Sequence, residues 1–119
     1  MFNFLRPAPV PPGLTVSGAV TGAKSGTVTV IDVRESGEIA ASGKALGALH
    51  IPLALIPIKA DPKGPDRTKG LDLARPVAVY CASGMRSAAA VQALKKLGYD
   101  AHNIGSIRDW AKAGGVVSK

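Results

Sequence analysis

One stretch of this chain gathers groups suited to covalent chemistry: Val77-Ala-Val-Tyr80-Cys81-Ala82-Ser83-Gly84-Met85-Arg86-Ser87. Cys81 is the only cysteine among 119 residues. It follows four apolar or aromatic residues that read as a short buried strand. A six-residue turn then leads into Ala88–Gly98, an amphipathic helix stopped by its glycine. A thiol between a strand end and a helix start faces unpaired backbone N–H groups and the positive end of a helix dipole. Arg86 adds a permanent cation. Such a thiol is expected to ionise easily and to attack electrophilic sulfur or phosphorus.

A free thiol has a pKa near 8.5, so only about 3% is thiolate at pH 7. Lowering it by about two units ionises roughly three-quarters, for ~2.7 kcal/mol of differential stabilisation. Gly84 takes a side chain out of the turn and lets the backbone curl around the sulfur. Ser83 and Ser87 supply hydroxyl donors, and the Arg86 fork suits a sulfonate or phosphate oxyanion. Most lone cysteines are buried packing residues. Here polar and charged residues follow the thiol, which argues for reactivity.

The elements that must position this loop alternate between strand and helix. Thr27–Val33 is β-branched and mostly apolar, a strand buried on both faces. Leu14-Thr-Val16 reads as a short edge strand, and the glycine-rich segment to Gly26 as weakly patterned chain with room for a helical turn. Ser36 is placed to cap a short helix through Ala41, with Glu35 and Glu38 as solvated flanking charges. Gly43–Pro52 reads as a loop with a brief strand around Ala48-Leu-His50. Residues 57–76 form a surface excursion with a docked helical turn at Leu71–Ala74. Tyr99–Ile104 is a further short strand, and Ile107–Ala113 a last helix holding Trp110. This order indicates an α/β domain with a mostly parallel central sheet flanked by helices. In such sheets ligands bind beyond the carboxyl ends of the strands, where Cys81 falls. Residues 1–13 read as a proline-rich arm and 14–119 as the domain.

Other groups read as structural. Asp32 and Arg34 end a buried strand, where charges need partners, and an ion-pair role is expected. His50 and His102 lack motif partners and are expected to pack. Net charge is +7, from 15 basic and 8 acidic residues, but the basic groups are scattered without interleaved aromatics. That pattern excludes a stacking platform for nucleic acid and fits a small anion or an acidic protein partner. One cysteine makes no internal disulfide and suits a reducing compartment, and no metal is expected because no ligand spacing is present. No apolar run reaches signal-peptide or membrane-span length, so no membrane association and a cytoplasmic location are expected.

The loop Cys81-x-x-Gly84-x-Arg86-Ser87, with Ile31-Asp32-Val33-Arg34-Glu35 about fifty residues earlier, resembles a single-domain rhodanese, a sulfurtransferase. The likeness spans roughly 14–114 and includes Gly47-Ala48, His50-Ile51-Pro52-Leu53, Gly98-Tyr99 and Asn103-Ile104-Gly105 before Trp110. The resemblance implies a rhodanese-like three-layer domain. It also implies a sulfane-sulfur relay in which Cys81 takes sulfur from thiosulfate or a similar anionic donor as a persulfide. Cyanide or a thiol, including a protein thiol, would then accept it. Ala82, Ser83, Gly84, Met85, Arg86 and Ser87 would cradle the persulfide and orient donor oxyanions, Asp32 and Arg34 would brace the region, and no cofactor would be required. The alternative is a non-turnover sulfur carrier or interaction module that delivers to a partner protein. Phosphatase-like and arsenate-reducing relatives carry five residues between Cys and Arg. Here there are four, which favours sulfur. The chain departs from the family at Gly43-Lys44-Ala45 and at Gly105-Ser106, outside the cysteine loop.

Overall fold

Val30, Ile31, Val77, Ala78 and Val79 are all buried, and their β-branched or small side chains suit strands covered on both faces. They form the middle of a sheet in a computed structural model that describes residues 14–119. The predicted arm, residues 1–13, lies outside the described residues.

Four strands, β1 (Thr29–Asp32), β3 (Leu49–His50), β4 (Val77–Cys81) and β5 (Ala101–Ser106), lie in the order β3-β1-β4-β5. Every neighbouring pair is parallel. A second, two-stranded antiparallel sheet joins β2 (Lys44–Ala45) to β6 (Val117–Ser118). Because strand side chains alternate, the central strands feed two cores. Ile31, Val33, Val77, Val79 and Cys81 face one layer, with Ile56 of α3 (Ile56–Lys59) and Ala90, Val91 and Leu94 of α4 (Met85–Lys96). Val30, Ala78 and Tyr80 face the other, with Ala19 and Val20 of α1 (Val16–Ser25) and Trp110 of α5 (Ile107–Lys112). The result is the three-layer α/β arrangement expected from the sequence. Among the described residues no helix is long and apolar enough to cross a membrane.

Several local readings are corrected. Leu14–Val16 is no strand: Thr15 Oγ1 accepts the Gly18 N–H at 2.9 Å and caps α1, whose ten residues end at Ser25. In the glycine-rich segment Gly22 is a packing device, since a Cβ there would fall 2.3 Å from Val28 Cγ2, while Gly26, with φ +78°, caps the helix C-terminus. α2 (Ser36–Ser42) is capped by Glu35 rather than Ser36, through a reciprocal box with Glu38. Leu71 docks in the core as expected, but the residues after it form a turn without helix, with the Ala74 N–H donating to Asp72 Oδ1 at 2.8 Å. β5 extends two residues past Ile104, to Ser106.

α2 buries no residue at all. Its one large apolar residue, Ile39, is half-buried, and polar ties to Arg34 and Arg86 hold the helix as well, as described below.

Candidate active site

Cys81 is the last residue of β4, and α4 begins only four positions later, at Met85. The turn is thus shorter than the sequence suggested, and Arg86 and Ser87 belong to the first turn of the helix. Gly84 is the N-cap, with φ +94°, a left-handed conformation that favours glycine. A glycine cap has no side chain to accept the orphan amides of a first turn. The cysteine sulfur takes that place. Sγ accepts the Gly84 N–H at 3.0 Å and the Ser87 N–H at 3.4 Å, and Ser87 Oγ lies 3.4 Å away.

Burial pushes the Cys81 thiol up, but the Ser87 hydroxyl and the amides of Ser87, Ser83 and Gly84 outweigh it and bring the pKa down to about 7. These hydrogen bonds favour the charged form of the sulfur. The downward direction matches the sequence expectation, while the agents are amides and a hydroxyl more than Arg86. Alkylation by the neutral reagent iodoacetamide should rise with pH to a midpoint near 7. In Ser87→Ala, which removes one donor, the midpoint should move toward the free-thiol value of about 8.5. An unmoved midpoint would remove Ser87 from this account.

The residue is fully covered. A donor therefore reaches the sulfur only when groups above it move. Ala82, Ser83 and Met85 are exposed on the outer face of the loop, Met85 at 79%.

Asn103 is the functional group that sequence reasoning named only in passing. Its Nδ2 donates to the Gly84 carbonyl at 3.0 Å, and its Oδ1 accepts the Gly105 N–H at 3.0 Å. These two backbone partners fix which end of the amide is oxygen. The Ser87 hydroxyl, 2.7 Å from Oδ1, therefore donates to Asn103. The same Ser87 oxygen lies 3.4 Å from Cys81 Sγ. On ionisation, the Ser87 hydrogen has two acceptors, Asn103 and the thiolate. A register shift in β5 opposite Val79 and Tyr80 lets Asn103 and Gly105 both serve this corner. A lone Asn in a short strand carries no local signal of that role.

Glu38, read as a solvated charge, is instead bound to the loop. Arg86 Nη1 donates to Glu38 Oε1 at 2.6 Å and Nη2 to Oε2 at 2.7 Å. The guanidinium holds the Glu38 carboxyl at a pKa of about 2, and the carboxylate in turn raises that of Arg86. Asp32 and Arg34 form a buried pair, as expected, with Nη2 2.8 Å from Oδ2. Tyr80 Oη also donates to Asp32, and the Arg34 guanidinium carbon lies 5.7 Å from the Tyr80 ring centre. Arg34 reaches on to Ser42 Oγ and the Gly43 carbonyl, tying the end of α2 to β1. His50 Nε2 lies 2.7 Å from the Arg34 carbonyl, and His102 Nδ1 accepts the Leu14 N–H at 3.2 Å, so both histidines make structural contacts. Among the described residues no group of three or more His, Cys, Asp or Glu converges as a metal site.

The site is thus a lone cysteine at the end of an inner strand of a parallel α/β sheet, its sulfur accepting the first amides of the helix that follows. The rhodanese-like domain model matches residues 18–113, and the chain belongs to that family. Among solved structures, a rhodanese-related protein from Thermoplasma volcanium is 31% identical, with 89% of this chain and 96% of that one covered and a TM-score of 0.70. A human single-domain sulfurtransferase is 28% identical, with 85% and 96% covered and a TM-score of 0.71. A protein of unknown function, possible tyrosine phosphatase, from Rhodopseudomonas palustris is 30% identical, with 89% and 83% covered and a TM-score of 0.75. Among curated proteins nothing matches this chain.

Proposed function

We propose that this chain is a sulfurtransferase that moves sulfane sulfur through a persulfide on Cys81. The observation that carries the reading is the sulfur's place as the capping acceptor of α4, with its pKa brought to about 7. In the first half-reaction the thiolate attacks the outer sulfur of thiosulfate or a similar donor. A new S–S bond forms, the old one breaks, and its electron pair leaves on sulfite. In the second, cyanide or a thiol attacks the outer persulfide sulfur and returns Cys81 as thiolate. No net oxidation occurs within the protein.

The loop amides of residues 82–86 are the proposed cradle for the added anionic sulfur, with Ser87 donating from the side. Asp32 and Arg34 support the cradle through α2. We take 14–119 as the working domain and a reducing, cytoplasmic setting as the one in which a free thiol of this kind persists.

The test is intact mass after incubation with thiosulfate. A gain of about 32 Da, reversed by cyanide, is the expected result. Steady thiocyanate production then marks an enzyme, whereas one loading without turnover marks a carrier for a partner protein. Unchanged mass with every sulfane donor, together with release of phosphate from an aryl phosphate, would replace sulfur transfer by phosphatase chemistry.

A further inference from the structure

Arg86 is the charged group of the cysteine loop, and both of its terminal amines are taken. The fork meets the Glu38 carboxylate end-on, at 2.6 and 2.7 Å. Glu38 is held from its own side as well, because Oε1 accepts the Glu35 N–H at 2.9 Å and closes the cap of α2. The far end of that helix is pinned by Arg34 through Ser42 and Gly43. The carboxylate is thus placed by a frame reaching back to β1. With its low pKa it stays charged at any ordinary pH.

The pair is close to neutral, and a carboxylate occupies the side of the fork that would otherwise meet an oxyanion. What remains electropositive at the sulfur is dipolar: the Gly84 and Ser87 amides. A dianion arriving at this mouth must either displace Glu38 or sit beside it. Each side chain of the pair is 35% exposed, so the contact is screened and open to such competition.

Resting on the sulfur-transfer reading, we infer that Glu38 is a specificity-determining residue acting through Arg86. It turns Cys81 away from dianionic donors such as thiosulfate and toward donors without an oxyanion at the reacting centre, the persulfide class R–S–SH. In that reaction the Cys81 thiolate attacks the outer sulfur and the donor's S–S bond breaks. R–S⁻ leaves with the electron pair, and the outer sulfur stays with its proton as Cys81–S–SH. Thiolate and persulfide exchange roles, so no outside oxidant or reductant enters.

The experiment measures loading by intact mass, at low ionic strength, with thiosulfate and with an alkyl persulfide whose alkyl group carries no charge. Wild type is expected to load more efficiently from the alkyl persulfide. In Glu38→Gln the ratio of thiosulfate to persulfide loading should rise about tenfold, through KM for thiosulfate more than through kcat. A ratio that is unchanged or falls overturns the inference, as does a wild type that already prefers thiosulfate. The wild-type comparison decides the matter even where the variant fails to fold. A second arm needs no sulfur transfer: sulfite protection of Cys81 against iodoacetamide should tighten severalfold in Glu38→Gln. If neither donor loads wild type, sulfur transfer is the reading that fails, and the protection arm still judges Glu38.

Discussion

Asp32→Ala is expected to lower the thermal midpoint by roughly 12–25 °C, the shift that ~3–5 kcal/mol produces in a domain of this size. Asp32 accepts from the Arg34 backbone N–H at 2.9 Å, from Arg34 Nε at 3.1 Å and Nη2 at 2.8 Å, and from Tyr80 Oη. Alanine leaves a guanidinium that is 2% exposed without its counter-charge, and a buried phenol without its acceptor. Breaking one half of a buried pair costs more than the pair itself contributes, because the remaining charge stays desolvated. Total stability for a domain is about 5–15 kcal/mol, so the variant sits near the edge of folding. Arg34 also anchors α2, so sulfur loading should fall at temperatures where the fold survives. A melt within about 3 °C of wild type would show that the pair is not structural.

Cys81→Ser is expected to show no mass gain from any sulfane donor, and turnover lower by at least about a thousandfold. The hydroxyl is nearly isosteric and can accept the same Gly84 and Ser87 amides. Stability should therefore change by only about 1 kcal/mol. What disappears is ionisation: an alcohol stays protonated near neutrality, whereas hydrogen bonds bring this thiol's pKa down to about 7. The two variants thus separate scaffold from chemistry, one losing the fold and the other the nucleophile alone. Residual loading of the serine protein would mean that sulfur resides elsewhere.

Much of this was legible from residue order. The apolar run 77–80, the single cysteine and the apolar period of 88–97 marked out the candidate site, because each is a local signal. Thr27–Val33 likewise declared a central strand. α1 was hidden, because Gly18 and Gly22 lower helix propensity, and the reason for Gly22 is one only packing reveals: it lies against Val28. Thr15 has a β-branched side chain, which suggested a strand, yet its hydroxyl caps the helix. Glu38 and Arg86 are 48 positions apart, and nothing in either neighbourhood names the other. Asn103 serves Gly84 and Ser87 across 19 and 16 positions, from a strand whose register shift no local pattern announces. Contacts within one helical turn or strand can be read from sequence. Ties made when separate segments meet cannot.

The complete covering of Cys81, together with its uniqueness in the chain, gives this molecule a built-in gauge of breathing. Every labelled sulfhydryl reports one spot and one event, with no background from other thiols. A slim reagent and a bulky one, applied side by side, sample partial and wide excursions of the same covering groups. The gap between their rates then ranks how far, and how often, the roof over that atom lifts.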